Sequence, residues 1–526
     1  MRPRYFSIIS RVPAQNILGD NLLKRYENAL NRMSSPVGKE NPNPMTGINV
    51  SLEENILYIK GEFGSSADIV IKRMTAGGTD TAFICLDGMC GSLQMINGVI
   101  NPVIRGSGSA DNAPNTLFNR LCGEVIPFND AKRLLFLEEA VESIINGFLI
   151  MLVDGVSECA AYSVQDFPKY PVSEPTTEVQ ERGAKEGFVD FYKDNVTLIR
   201  RRLKSPSLRV ELLTAGASSN TTLALCYMAD RTPEKLLEDV KSRLSKVTLD
   251  IVSGAGMIQP FLEPETLSLF TGVGITERPD TLCSKLAEGK VCVFIDGTPH
   301  AIIVPYLFIE NFHSLDDYLN RPYYSSFMRI IKLASFFIGV FLPGAYVAVG
   351  VFHPEMYPTN MLYDIAVAQS KTPFPILMEA VLIQFIYEIV REAGLRMPKA
   401  VGQAVSIVSA LVIGDAAVRA GLIAAPMLII VALTAITSAV IPYLHLPISV
   451  LRIFFIAAGG FFGLFGIMLG AAILLINMAS VSPFGVSYLS PLSPFDMGAV
   501  RDSFIRAGWR RLGKRRANAN KFYGSE

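Results

Sequence analysis

The stretch GFLIMLVDGVSECAAYSV, residues 147–164, has the pattern of a β-hairpin, and GKVCVFIDGTPHAIIVPY, residues 289–306, repeats that pattern further along the chain. Each stretch contains an apolar run, an Asp-Gly pair and a second apolar run. Asp-Gly favours a tight hairpin turn because it accepts the positive φ angles of such a turn. The two stretches therefore predict two hairpins at corresponding positions of a repeated unit.

The repeat extends beyond the hairpins. AFICLDG begins at Ala82 and ALCYMAD begins at Ala224, with the same offset of 142 residues as the hairpins. TAGG at Thr75 and TAGA at Thr214 have nearly the same offset, and segments with helical periodicity, such as residues 233–246, lie between the apolar runs. Self-similarity at a fixed offset indicates duplication, so we expect two similar small α/β subdomains.

Charged side chains divide the chain into a polar and an apolar part. Residues 330–494 contain 13 charged side chains, whereas residues 1–329 contain 72. We therefore expect an all-α transmembrane helical domain after the α/β region. The expected order is an N-terminal helix with a flexible linker, a first α/β subdomain, a connector with a second α/β subdomain, the transmembrane domain and a basic tail, at residues 1–48, 49–170, 171–325, 326–494 and 495–526.

Several classes of function find no support in the sequence. The formal net charge is zero, which does not suggest nucleic-acid binding. The seven cysteines form no CxxC pair, and we expect them to be buried, reduced thiols. The four histidines are scattered, and the chain has no P-loop, GxSxG or HExxH motif. We expect neither an enzyme nor a nucleic-acid-binding protein, and we expect no cofactor and no metal site.

The connector between the two copies carries many charges. It reads EPTTEVQERGAKEGFVDFYKDNVTLIRRRL, residues 174–203, with a cluster at Arg200, Arg201 and Arg202. One interpretation is a solvated connector and helix. The other is a contact surface for a partner or for acidic lipid headgroups.

Four apolar segments are candidates for crossing a bilayer, whose hydrocarbon core is about 30 Å thick. They cover residues 329–352, 401–418, 422–441 and 453–480. The last contains Gly459, Gly463, Gly466 and Gly470, whose spacing of 4, 3 and 4 puts them on one face of a helix. We expect these glycines to let another helix approach closely.

A fifth apolar segment, PFPILMEAVLIQFIYEIV at residues 373–390, contains Glu379, Gln384 and Glu388. An acid at the bilayer centre costs about 2.5–3.5 kcal/mol on insertion scales. We expect Glu379 at a helix start, where the helix dipole favours an anion, and Glu388 paired with Arg391 at the headgroup level. Two interpretations stay open: an amphipathic or re-entrant helix with charges at its ends, or a helix that faces water or another subunit.

Small and polar residues form two further stripes. Gly402, Ser406 and Ser409 come close to helical spacing, and Thr434, Thr437 and Ser438 give a second short polar face. Either stripe could line a pore, which needs small or polar residues on one side of a helix, or could pack against neighbouring helices. The candidate pore or subunit-interface residues are Glu379, Gln384, Glu388, Gly402, Ser406, Ser409, Thr434, Thr437 and Ser438.

The two ends of the chain predict an orientation. The N-terminus has no long apolar region typical of a signal peptide, so we expect it in the cytosol. The tail is rich in basic residues, and the positive-inside rule places it in the cytosol as well. Its basic residues are Arg501, Arg506, Arg510, Arg511, Lys514, Arg515, Arg516 and Lys521. Two cytosolic ends require an even number of crossings, so we expect four, with residues 373–390 not crossing.

Taken together, several segments resemble one family. They are SLEENILYIKGEFGSSADIVI (51–71), the connector at 174–203, TERPDTLCSKLAEGKVCVFIDGTPHAIIVP (276–305), HPEMYPTNML (353–362), the segment at 373–398 and VGQAVSIVSALVIGDAAVRAGLI (401–423). Over residues 50–495 the chain resembles the A subunits of the GerA-type spore germination receptors. Two positions depart from the family pattern: Gln384 stands where an acid is common, and Ser409 where a glycine is usual.

The resemblance implies a multi-pass protein of the spore inner membrane, with its large N-terminal region and basic tail on the cytosolic (spore core) side. It implies a transporter-like B subunit and a lipoprotein C subunit as partners, and a homo-oligomer of A subunits in contact with membrane lipid. That oligomer would form an ion-conducting channel whose opening releases monovalent cations and triggers germination. The alternatives are a related amplifying germination channel without nutrient sensing, and a scaffold subunit that organises the receptor complex.

Overall fold

The structure is a computed structural model, and the part of the chain that it describes excludes both ends. It describes residues 45–64, 66–106, 113–127, 131–166, 175, 178, 180, 182–263, 268–397, 414–493, 495 and 503–506. The predicted N-terminal helix, most of the linker and of the basic tail, and the candidate residues Gly402, Ser406 and Ser409 lie outside these ranges.

The first subdomain is a five-stranded antiparallel sheet in the order β1-β2-β4-β5-β3. Its strands are β1 (Ile69–Ala76), β2 (Thr79–Leu86), β3 (Lys132–Leu134), β4 (Leu149–Val153) and β5 (Cys159–Tyr162). Its helices are α1 (Leu52–Phe63), α2 (Ser92–Met95), α3 (Asn101–Gly106), α4 (Pro114–Arg120) and α5 (Leu137–Ile145), with π-helical turns at Ile96–Ile100 and Leu121–Val125.

Helices cover both faces of this sheet. Buried side chains of α1 and α5 pack on one face, and those of residues 92–121 pack on the other. Strands β4 and β5 are therefore buried throughout and read as continuous apolar runs. The predicted hairpin joins them, with Gly155 at a φ of 83° in the turn.

The second subdomain repeats this arrangement, with the strand order β6-β7-β9-β10-β8. Its strands are β6 (Leu208–Ala215), β7 (Thr221–Met228), β8 (Gly274–Thr276), β9 (Val291–Ile295) and β10 (Ala301–Val304), and its helices are α6 (Tyr192–Arg202), α7 (Glu234–Leu244), α8 (Ala255–Leu262) and α9 (Pro279–Ala287). The second predicted hairpin joins β9 and β10, with Gly297 at a φ of 88°. The identical strand order confirms the predicted pair of α/β subdomains.

The two subdomains are joined through the predicted arginine cluster. Arg200 donates from Nε to Asp68 of the first subdomain at 2.7 Å and from Nη2 to the hydroxyl of Ser66 at 3.1 Å. Arg202 pairs with Glu186 within the connector. Because Arg200 is buried in this contact, it is not available to a partner or to lipid headgroups, and the contact-surface interpretation is wrong for it.

A helical region follows the second subdomain. Its helices are α10 (Asp316–Leu319), α11 (Pro322–Phe352), α12 (Thr359–Gln369), α13 (Ile376–Arg396), α14 (Ala425–Val440) and α15 (His445–Ser480). Among the described helices, two are long and apolar enough to cross a membrane: α11 and the segment Pro442–Ser480, which contains α15.

The backbone of α15 breaks at Gly463, which has a φ of 62° and a ψ of −149°. A Cβ on Gly466 would overlap the carbonyl oxygen of Ala458, and one on Gly470 would lie 2.8 Å from the ring of Phe455. Residues 455 and 470 would be about 22 Å apart in a straight helix. The segment is therefore a helical hairpin with a first leg (445–462) and a second leg (464–480), not the single helix predicted for 453–480.

The two legs and the described helices pack side by side in a bundle. α11 runs parallel to the first leg, because Gly339 lies against Ile448 and Phe352 lies against Gly463. α13 runs the opposite way along the same leg, with Leu377 next to Gly460 and Gln384 next to Arg452. We expect residues 373–390 not to cross the membrane. α13 extends for 21 residues, about 32 Å, beside the first leg, but it is not one of the two described helices that are long and apolar enough to cross, so the expectation stays a prediction.

The chain re-enters the second subdomain after the bundle. Residues 481–492, which we call the return segment, place Phe484 in the core of that subdomain. Further on, Arg506 donates to the carbonyl oxygens of Tyr318 at 3.0 Å and Asn320 at 3.2 Å, just before α11. Both ends of the helical region therefore lie at the same end of the bundle, beside the second subdomain.

Candidate functional site

A single arginine lies at the centre of the bundle. Arg452, on the first leg, has 0% of its surface exposed. Its Nε donates to the carbonyl oxygen of Gly339 at 2.9 Å, and its Nη1 faces Oε1 of Gln384 at 3.4 Å. Its Nη2 donates to the carbonyl oxygen of Thr434 at 3.1 Å and to the hydroxyl of Ser438. One side chain thus connects the first leg to α11, α13 and α14.

No carboxylate among the residues that the structure describes forms an ion pair with Arg452, and its partners are neutral oxygens. An intramembrane ionisable group is costly and in general marks a functional site. Arg452 is not among the site residues predicted from the sequence. The available signal was that Arg452 is the one charged side chain between residues 420 and 494.

The polar face predicted on α14 lies inside the protomer. Thr434, Thr437 and Ser438 are buried, and their hydroxyls donate to carbonyl oxygens of their own helix. This bonding satisfies the hydroxyls and leaves the oxygen of Ser438 as an acceptor for Arg452. Of the two interpretations of this face, the intrachain contacts match helix packing.

A chain of hydrogen bonds leads from Arg452 to the end of α13. Gln384 faces Arg452 through Oε1 and donates from Nε2 to Glu388 at 3.1 Å. Glu388 in turn accepts from Nε of Arg391 at 2.9 Å, which is the pairing expected from the sequence. The ring of Tyr387 lies 5.8 Å from the guanidinium of Arg452, within the range of a cation–π contact.

Glu379 lies at the opposite end of the bundle and is fully buried. It lies in the first turn of α13, as expected, but its carboxylate caps a different helix. Oε1 accepts from the main-chain N–H of Ala424, the N-cap residue of α14, and Oε2 accepts from Gln369 at 3.1 Å. An anion at a helix N-terminus is stabilised by the unpaired N–H groups there, which explains how this acid is tolerated.

The predicted glycine face serves two different contacts. A Cβ on Gly459 would overlap the carbonyl oxygen of Gly344, and one on Gly344 would overlap the carbonyl oxygen of Phe455, so α11 and the first leg approach to backbone contact. Gly466 and Gly470 instead face the other leg of their own hairpin. The break at Gly463 explains why glycines with helical spacing do not share one partner.

Ion pairs occupy the junction between the second subdomain and the bundle. Glu310 lies between the ammonium groups of Lys285 and Lys290. Burial raises the pKa of Glu310, but the two positive charges outweigh burial and hold the pKa below its ordinary value. At the base of α11, Asp317 pairs with Arg329 at 3.0 Å.

The outer surface of the bundle is apolar, and its interior contains paired polar groups among buried apolar side chains. Exposed side chains on it include Met378, Phe385, Ile429, Ile436, Phe461, Phe465, Met468 and Ile476. The exterior of a soluble domain carries far more polar and charged side chains. Apolar surroundings with polar groups paired inside are typical of a membrane-embedded bundle.

The family model described as Bacillus/Clostridium GerA spore germination protein matches residues 57–518 of this chain. The chain is 36% identical over 468 residues to Spore germination protein KA of Bacillus subtilis (strain 168), covering 88% of this chain and 85% of that protein. It is 33% identical over 500 residues to the Uncharacterized membrane protein YfkQ of the same strain, covering 93% and 92%.

A solved structure also matches, that of the N-terminal domain of the A subunit of the Bacillus megaterium spore germinant receptor GerK3. The two are 22% identical with a TM-score of 0.38, and the match covers 51% of this chain and 99% of that one. The family-model match across most of the sequence and the long alignments with curated relatives decide the assignment: the chain belongs to the GerA family of spore germination proteins.

Proposed function

We propose that this chain is the A subunit of a spore germinant receptor and that several copies form a channel that releases monovalent cations when germination begins. The observation that carries the proposal is the fully buried Arg452 at the centre of a bundle with an apolar exterior. A subunit that served only as a membrane anchor would need apolar helices and no buried charge.

The channel requires more than one copy in this proposal. The centre of the described bundle is filled by Arg452 and its partners, which are buried against one another with apolar side chains packed around them. An ion path through one protomer would have to pass this packed centre. A path between protomers needs only a helix with a polar stripe that faces a shared axis.

The stripe at Gly402, Ser406 and Ser409 is the proposed pore lining. It lies outside the residues that the structure describes. The competing stripe at Thr434, Thr437 and Ser438 makes hydrogen bonds within one chain, which removes it from the pore proposal. Glu379, Gln384 and Glu388 likewise have partners inside the protomer, so we assign them to the support of the bundle.

The family and the apolar helices support a proposed location. We place the chain in the spore inner membrane, with the two subdomains and the tail on the side of the spore core. The contacts of Arg506 with Tyr318 and Asn320 support a common side for the subdomains and the start of the tail. A polytopic B subunit and a lipoprotein C subunit are the proposed partners, and genes for two such proteins beside this one would support the receptor assignment.

Flux from liposomes tests the function. The purified full-length chain is reconstituted into liposomes loaded with K⁺, and release is followed with an ion electrode. We expect release, and we expect Ser406→Trp and Ser409→Trp to change its rate by about tenfold or more. Ile436→Trp, on the exposed side of α14, is the control and should release K⁺ at the wild-type rate. Equal rates in all variants would contradict the pore assignment.

A further inference from the structure

The return segment fastens the end of the hairpin to the second subdomain. Phe484 is 1% exposed and packs among buried side chains of α7 and α8, including Val240 and Ile258. The guanidinium of Arg243 lies 4.2 Å from its ring centroid. Next to it, Pro483 lies so close to Gly272 that a Cβ on that glycine would overlap the proline ring.

Three further contacts strengthen this attachment. The carbonyl oxygen of Tyr488 accepts from the main-chain N–H of Phe308 at 3.0 Å, and the two rings lie 5.9 Å apart. At the end of the second leg, Asn477 accepts from the hydroxyl of Ser268 at 3.1 Å. The second leg and the second subdomain are thus held by apolar, aromatic and polar contacts over more than ten residues.

The first leg is held mainly by the other helices of the bundle. Arg452 ties it to α11, α13 and α14, and Gly459 ties it to Gly344 by backbone contact. The two legs pack on each other at Gly466 and Gly470, but only the second leg continues directly into the return segment. They are joined at Gly463, whose positive φ leaves no continuous helix between them.

The second subdomain is attached to the bundle at more than one place. Besides the covalent connection into α11 there is the return segment, and Tyr443, just before the first leg, donates to Glu178 of the connector, which also accepts from Thr276 of the second subdomain. A subdomain attached at one point can rotate without moving the bundle. A subdomain attached at more than one point transmits its rotation, and small shifts at such interfaces are the usual origin of larger switching motions.

We propose that the return segment is a strap that transmits movement of the second subdomain to the second leg of the hairpin, with Gly463 as the pivot. The physiological consequence, a change in cation release, rests on the proposed function. The mechanical coupling itself does not.

The coupling is tested by hydrogen–deuterium exchange on the full-length chain in lipid nanodiscs. Phe484→Ala removes the anchor from the strap, and Gly272→Ala pushes the strap away from the subdomain. Both are expected to speed exchange in residues 464–480 by about tenfold while residues 445–462 keep the wild-type rate. Phe461→Ala, at the exposed tip of the hairpin and 68% exposed, is the matched control and should change neither leg.

Wild-type exchange of the second leg in Gly272→Ala would overturn the coupling, as would equal acceleration of both legs. If Phe484→Ala also speeds exchange in β6–β10, the core of the subdomain has loosened, and Gly272→Ala together with Phe484→Leu decides the question.

Spores that carry these variants are then tested for germinant-triggered K⁺ release. Slower release supports transmission, and a wild-type rate in spores whose protein shows the exchange change overturns it. Failure of the wild-type chain to conduct would overturn the proposed function and leave the exchange result standing.

Discussion

Arg200 of the second subdomain and Asp68 of the first form a buried ion pair, with 2.7 Å between Nε and Oδ2 and with the side chains 1% and 8% exposed. The two residues do not occupy corresponding positions in the duplicated units. The pair therefore joins two similar subdomains in one fixed relation. Its geometry, with a second hydrogen bond from Nη2 to Oδ1 at 3.0 Å, satisfies both oxygens of the carboxylate.

Replacement of Asp68 by alanine should destabilise the two α/β subdomains. The change leaves the guanidinium of Arg200 buried without its counter-ion, which costs about 3–5 kcal/mol in comparable cases. Labelling of the buried thiols of Cys226 and Cys292 in increasing urea measures the effect. Lys193→Ala is the control, because the Lys193–Asp87 pair spans the same junction at the surface and is worth less than about 1 kcal/mol. Equal urea midpoints for the two variants would contradict the assignment.

Replacement of Arg452 by alanine should destabilise the helical region. It removes hydrogen bonds to three helices and leaves a cavity, with an expected loss of about 2–5 kcal/mol. Thermal unfolding of the detergent-extracted protein, followed by circular dichroism, measures the loss. Arg419→Ala is the matched control, since Arg419 is exposed and pairs with Asp415 one turn away. A midpoint for Arg452→Ala that matches this control would rule out a central role for Arg452.

Gly459→Ala should separate α11 from the first leg. The added methyl group would overlap the carbonyl oxygen of Gly344, and overpacking of this kind costs about 1–3 kcal/mol. The same thermal assay applies. Gly256→Ala, where a Cβ meets no atom within 4 Å, provides the comparison. If the two alanine variants have the same unfolding midpoint, α11 and the first leg do not approach as closely as described.

His313 should make the protein less stable as the pH falls from 6.5 to 5. Burial, reinforced by the charge of Arg329, lowers the pKa of His313 to about 3, while Lys285 and Glu310 also face it. The unfolded chain binds a proton near pH 6.5 and the folded one does not, so stability is present above pH 6.5 and is lost on acidification. The loss is at most about 1.4 kcal/mol per pH unit.

His313→Gln removes this dependence and keeps an amide that can donate to the carbonyl oxygen of Ser503, which His313 Nε2 contacts at 2.9 Å. Urea midpoints at pH 6.5 and 5 should therefore differ less in the variant than in the wild type. The pH range from 6.5 to 5 lies above the range in which Glu310 loses its charge, because the pKa of Glu310 is lowered. If the urea midpoint changes equally between pH 6.5 and 5 in both proteins, the pKa of His313 is not lowered in the folded protein.

The two α/β subdomains could be predicted because the sequence signals for them are local. Asp154-Gly155 and Asp296-Gly297 mark their hairpins through turn chemistry alone, and the fixed offset between the copies reports the shared topology. The pairing of Glu388 with Arg391 is local as well, since three residues separate them on one helix. Local signals do not identify residues that are distant in the sequence but in contact in the fold, such as Arg200 and Asp68.

The helical region shows the opposite case. Glu379 caps a helix whose N-cap residue, Ala424, lies 45 residues later, which no local pattern encodes. The spacing of Gly459, Gly463, Gly466 and Gly470 matches one helix face, yet Gly463 turns the chain back on itself. A glycine permits a continuous helix and a break alike, so only the packing against Phe455 and Phe352 distinguishes them.

The central claim is that copies of this chain surround a shared aqueous path, and an image of the particle tests it most directly. The full-length protein is extracted into nanodiscs and imaged by electron cryomicroscopy. We predict a closed ring of identical protomers around a central hole, with residues 401–418 facing the hole and Arg452 enclosed within each protomer. A single protomer with no neighbour, or a ring whose axis is sealed by apolar side chains in every conformation, would contradict the account.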